Sequence, residues 1–180
     1  METRGVLELV CRYLILIILG IFINLFYIIF TPLTVYPVLW VLSIIDSGTR
    51  LVTTNSIFFL GEYIELVGAC IAGAAYYLLI IFNLVTPMKI TKRIYSIVFM
   101  FGIFWILNIL RILLFSVLWV YGFEYFSFTH KLTWYFGSTI LVVFIWFITV
   151  WLFNIRNIPV YSDFVNLFSD MFKDKAKKRK

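Results

Sequence analysis

Apolar residues occupy four long blocks, at 13–30, 67–85, 94–121 and 132–153, separated by short polar breaks. With the residues beside it, each is long enough to approach the ~20 positions that carry an α-helix across ~30 Å of hydrocarbon. No small-residue cleavage site follows the first block, which predicts a retained helix rather than a signal peptide. Thr31-Pro32 is expected to end that helix, and Pro37 interrupts the next stretch. Residues 38–45 are apolar but too short to cross, so a re-entrant or surface-lying segment is predicted there. Asp46 to Arg50 reads as a turn. The stretch 52–66 holds β-prone Ile57, Phe58, Phe59 and Leu60 before Gly61, which predicts a short hairpin turning near Gly61. Thr86-Pro87 closes the second span, and a short basic link over 88–93 leads into the third. A polar patch at 122–131 precedes the fourth.

The tail has a different pattern. Val160, Phe164, Leu167, Phe168, Met171 and Phe172 fall on one helical face, with Asp163, Asn166, Ser169 and Asp170 on the other. An amphipathic helix followed by lysines predicts an interfacial segment on the cytoplasmic leaflet. The expected fold is therefore an all-α integral membrane bundle of about four transmembrane helices. To it are added the re-entrant or surface segment, a small extracytoplasmic hairpin and the C-terminal interfacial helix. Residues 1–159 form the membrane bundle and 160–180 the basic cytoplasmic tail.

Composition agrees. The 180 residues are 63% hydrophobic and 13% charged, with a mean hydropathy of +1.03, whereas soluble domains carry about 25% charged residues. No soluble fold of this size buries so much apolar surface. The net charge of +6 is not a nucleic-acid signal, because the basic residues flank apolar blocks and crowd the tail. Arg4, Arg12, Lys89, Lys92, Arg93, Arg156 and the six basic residues after 172 share one side when both termini are cytoplasmic. Arg50 and Lys131 then lie outside, beside Asp46, Glu62, Glu65 and Glu124. This orientation implies a multi-pass cell-membrane protein. Cys11 and Cys70 fall on opposite faces, which argues against a disulfide. Glu8 and Arg12 are spaced as neighbours at the inner end of the first helix.

Candidate chemistry centres on Glu65-Leu66-Val67-Gly68-Ala69-Cys70-Ile71-Ala72-Gly73. If a helix starts near Val67 or Gly68, Cys70 lies in its first turn, where free N–H groups and the helix dipole favour thiolate. Arg111 sits inside an apolar run, a costly position unless it faces the interior or a wet pocket. Cys70 and Arg111 each lie about 17 residues above the inner ends of their helices, hence both roughly 25 Å above the inner boundary. His130, the chain's one histidine, precedes the fourth span near the same rim. Asn108 shares the Arg111 face. Glu62, Glu65 and Thr129 lie close by in sequence and are candidate supporting or substrate-binding residues. Each residue alone has a plainer reading: packing for Cys70, solvation for His130, snorkelling or pairing with Glu65 or Glu124 for Arg111. Together they suit acyl transfer, with a thiolate nucleophile, an imidazole base and a guanidinium holding the oxyanion. The ligand spacings of a metal site are missing, as is a phosphate-cradling glycine loop, and the chemistry requires no cofactor.

Glu65, Ala69-Cys70 with Gly73, then Asn108-Ile109-Leu110-Arg111, then His130 with Gly137 resemble the exosortase/archaeosortase membrane cysteine transpeptidases over roughly 65–137. That family commonly has Ser-Gly directly after the cysteine, where this chain has Ile71-Ala72-Gly73; the departure and the short chain point to an archaeosortase-type branch. The resemblance implies an enzyme that removes a C-terminal sorting segment (motif, transmembrane helix, basic tail) from exported proteins. It joins the new carboxyl end to a membrane-lipid acceptor. By the same resemblance Cys70 is the nucleophile, completed by Arg111 and His130. Two other readings use the same residues: an intramembrane cysteine protease with water as acceptor, and a non-enzymatic membrane subunit or lipid-binding scaffold in which Arg111 grips a headgroup.

Overall fold

A computed structural model describes residues 3–86 and 88–155, apart from the side chains of 3–9 and 12. The amphipathic tail at 160–180, Arg156, Pro87 and the side-chain pair Glu8/Arg12 lie outside the described residues. The chain runs α1 (Thr3–Ile21), α2 (Ile23–Ile45), β1 (Arg50–Thr53), β2 (Ser56–Phe59), β3 (Glu62–Glu65), α3 (Gly68–Ile71) and α4 (Gly73–Val85). It continues as α5 (Ile90–Val120), α6 (Phe126–Leu132), a π-helical turn (Thr133–Gly137) and α7 (Ser138–Leu152). Among the described residues four stretches are long and apolar enough to cross a membrane: Ile23–Ile45, Gly68–Val85, Ile90–Val120 and Phe126–Leu152. Only 22–39% of their most apolar windows are buried within the chain, so most of that surface faces outward, as lipid contact requires.

The N-terminal third departs from the sequence expectation. The first helix does not end at Thr31-Pro32, and 38–45 is not a separate short segment but the last part of a long helix. Instead the break falls at Phe22 (φ −93°, ψ 26°), and α2 passes through both Pro32 and Pro37 to Ile45. A proline inside a helix deprives the carbonyl four residues earlier of its donor. For Pro37 that carbonyl is Leu33, and the Trp105 indole Nε1 donates to it at 2.8 Å from α5. One turn earlier, the Thr31 hydroxyl donates to the Tyr27 carbonyl at 2.6 Å, next to the position Pro32 leaves free. With the Trp105 donor in place of the one Pro37 lacks, the apolar stretch stays helical, and the first candidate span moves from 13–30 to 23–45.

The hairpin near Gly61 is present, with an added third strand. β2 and β3 pair antiparallel from Phe59 opposite Glu62 to Ser56 opposite Glu65, and β1 joins the far side of β2 in the order β1-β2-β3. Leu60 (φ 48°) and Gly61 (φ 90°) form the two-residue turn; positive φ at both positions matches the twist of the flanking strands. The Asp46 carboxylate accepts the Leu60 N–H at 3.2 Å and the Gly48 N–H at 3.0 Å, tying the hairpin tip to the end of α2.

The core has two parts. Phe26, Tyr76, Leu79, Met100, Phe104 and Ile145 pack where α2, α4, α5 and α7 meet. The Tyr76 ring stacks on Phe30 at 3.6 Å and meets Phe104 edge-on at 4.9 Å. Val35, Val38, Leu42, Ile57, Phe59 and Ile112 fill the end that carries the sheet. The sheet is thus a lid with one buried face, fastened to the tops of α2 and α5.

Candidate functional site

The second apolar block is two helices. Ala72 takes the left-handed conformation (φ 59°, ψ 33°), ending α3 and starting α4. Such a conformation costs an L-residue roughly 1–2 kcal/mol; here it swings the single turn Gly68–Ile71 out of line with α4. Gly73 makes the swing possible: a Cβ there would lie 3.1 Å from the Tyr27 ring carbons. Cys70 therefore sits in the first turn after Val67, as expected, but that turn is a separate four-residue helix bent away from α4 at Ala72 rather than the start of one straight helix. The Cys70 N–H donates to the Val67 carbonyl at 2.7 Å, closing the single turn that carries the thiol.

α5 supplies what holds the turn. Asn108 and Arg111 share one face of this helix, three residues apart. Buried Asn108 donates from Nδ2 to the Cys70 carbonyl at 2.8 Å. Arg111 donates from Nη2 to the Ala69 carbonyl at 3.1 Å and from Nη1 to the Ser138 hydroxyl at 2.5 Å. Among the described residues no carboxylate pairs with Arg111, so the Glu65 and Glu124 pairings expected of a snorkelling arginine are not formed. A guanidinium has more N–H donors than these two bonds use. Arg111 interacts electrostatically with both Cys70 and His130.

His130 comes from α6. Its ring stacks on Phe126 at 5.4 Å, one turn earlier, and meets Phe115 of α5 edge-on at 5.2 Å. These contacts orient the ring while no described residue hydrogen-bonds its nitrogens. The π-helical turn that follows sets Ser138. On a regular helix the spacing of His130 and Ser138 would put them about 80° apart, and one extra residue in a wide turn offsets that by about 100°. The hydroxyl that anchors Arg111 and the imidazole thus come to nearly one face.

Cys70, Arg111 and His130 line one cavity of about 260 Å³, together with the 63–67 stretch, Ile112, Phe115, Ser116, Trp119, Phe126, Thr133 and Trp134. The three candidates proposed from sequence therefore meet in one place, and Glu65 lies on its wall. Asn108 acts behind the wall through the Cys70 carbonyl. Glu62 and Thr129 do not line the cavity: Glu62 is exposed beside the hairpin turn and Thr129 stands on α6 next to His130. Ser138 was missed, as were the aromatic residues around His130; the small polar pair Gly137-Ser138 in an otherwise apolar block was the available signal. Both cysteines are free, Cys11 exposed on α1 and Cys70 half-buried. Among the described residues no three His, Cys, Asp or Glu side chains gather as a metal site. Comparison with protein-family models, curated proteins and solved structures returns no match.

Proposed function

We propose that this chain is a membrane-embedded cysteine transpeptidase of the archaeosortase type, acting on C-terminal sorting segments of exported proteins. The observation that carries the reading is that Arg111, a cation with no carboxylate partner among the described residues, shares one cavity with Cys70 and His130. A half-buried guanidinium without a counter-ion is costly. A thiolate, and then the oxyanion formed from a peptide carbonyl, supply the missing negative charge.

The chemistry follows from the groups present. His130 takes the Cys70 proton, and the sulfur attacks the peptide carbonyl carbon while Arg111 stabilises the tetrahedral oxyanion. The C–N bond breaks, the amine leaves with the proton from His130, and a thioester remains on Cys70. The acceptor hydroxyl of a lipid headgroup then attacks the thioester, His130 takes its proton, and the Cys70 thiolate departs with an ester formed. The site faces the extracytoplasmic side, with both termini cytoplasmic, which is what the distribution of basic residues supports.

Co-expression with an exported reporter from the same organism, bearing an apolar C-terminal span and basic end, tests the reading. Cys70→Ala, Arg111→Ala and His130→Ala each abolish processing, whereas Cys11→Ala leaves it intact. Normal processing by Cys70→Ala removes the enzyme reading.

A further inference from the structure

We infer that the cavity takes its substrate as an extended polypeptide strand added to the free edge of β3, in line with Cys70. The inference rests on the transpeptidase reading and adds how the substrate is held. The sheet order places β3 at an edge. Its tight turn makes Phe59 and Glu62 the first pair, and in a two-residue hairpin that pair exchanges both backbone hydrogen bonds. Alternation then turns the N–H and C=O of Glu62 and Ile64 toward β2, and those of Tyr63 and Glu65 away from it. The Leu66 N–H, donating back to the Asn55 carbonyl at 2.8 Å, keeps the same alternation.

The outward edge is the one that faces the cavity. Consecutive residues 63–67 all line it. Strand side chains alternate between the two faces, so an unbroken run of lining residues means that the cavity lies along the strand's edge. From that edge the chain turns directly into α3 and Cys70. The opposite wall is helical, with Phe126, His130 and Trp134, so the space between holds no competing strand. Unpaired backbone groups at a sheet edge are a template for another strand; an acyl chain would leave them without partners. The aromatic wall selects apolar side chains on the substrate residues that face it.

The test uses the full-length protein in membranes with the exported reporter. Tyr63→Pro and Glu65→Pro each delete an outward N–H without touching the ladder to β2. Leu51→Pro makes the same deletion on the opposite edge, where Leu51 stands opposite Ile57. Each β3 variant is expected to cut processing at limiting reporter by about tenfold, while Leu51→Pro stays within about twofold, as the loss of a net hydrogen bond requires. Iodoacetamide labelling of Cys70 at the wild-type rate shows that the variants are folded. Independently, single cysteines placed along the reporter ahead of its apolar span are cross-linked to Tyr63→Cys in a Cys11→Ser, Cys70→Ser background. Strand pairing gives cross-links with a period of two; a helical period or uniform cross-linking overturns it. Wild-type processing with unimpaired proline variants overturns the strand proposal alone. An intact reporter in the wild type, or a processed one with Cys70→Ala, overturns the transpeptidase reading beneath it.

Discussion

The Asn108 side-chain amide donates to the Cys70 carbonyl at 2.8 Å, joining residues 38 positions apart in sequence. One hydrogen bond thus fixes the turn bearing the thiol to the middle of the longest helix. Its cost is visible in the same side chain, whose Oδ1 is buried with no partner among the described residues.

Asn108→Ala is expected to lower stability by about 1–3 kcal/mol, the penalty for stranding a buried acceptor. It lowers kcat more than it raises KM, because the reporter still binds while Cys70 is misplaced. Asn108→Asp sets a second acceptor against the carbonyl and is worse on both counts. Thermal unfolding in detergent and reporter kinetics check this.

Trp105 and Pro37 form a coupled pair through the Leu33 carbonyl. Trp105→Phe removes the donor that replaces the missing proline N–H and is expected to destabilise by about 1–3 kcal/mol. Pro37→Ala supplies a backbone N–H for the same carbonyl. In the double variant Trp105→Phe costs less than it does alone, and a double-mutant cycle on unfolding free energies reads the coupling. Strict additivity would contradict the account of α2.

Arg111 bridges α3 and α7 with two nitrogens. Lysine keeps the charge but not the planar fork, so Arg111→Lys is expected to lose most processing although net charge is unchanged. Ser138→Ala leaves the bond to Ala69 and is expected to cause a partial loss, within about tenfold, the loss of one charge-assisted bond. Processing rates of the two variants side by side decide the order.

Gly73 lies under the Tyr27 ring. Gly73→Ala crowds that ring against the break at Ala72 and is expected to destabilise by about 1–3 kcal/mol, as overpacking does. Tyr27→Leu, smaller and flexible, relieves the added methyl in the double variant. Unfolding midpoints of the single and double variants test the relation.

Much of the site was legible because membrane depth reduces to counting. Counting from the sequence put Cys70 and Arg111 at matched depths; although α4 ends at Val85, α5 starts at Ile90 and Cys70 stands on α3, Arg111 does reach the Ala69 carbonyl beside Cys70. Three of the four candidate spans were legible from apolar runs alone. The first was displaced because local rules stop a helix at Pro32 and Pro37. The donor that overrides the second proline lies 72 positions away on another helix. The left-handed Ala72 was invisible for a related reason: alanine carries no local preference for that conformation, and Tyr27 and Gly73 only reveal the bend once packed. Ser138 escaped because its register depends on a π-helical turn with no sharp sequence signature.

Intact-mass analysis of the chain purified with its reporter tests the nucleophile most directly. The account predicts an adduct of the reporter's N-terminal fragment on Cys70, released by neutral hydroxylamine as a thioester and absent in Cys70→Ala. A reporter that is still cleaved by Cys70→Ala, with no adduct in the wild type, would contradict it.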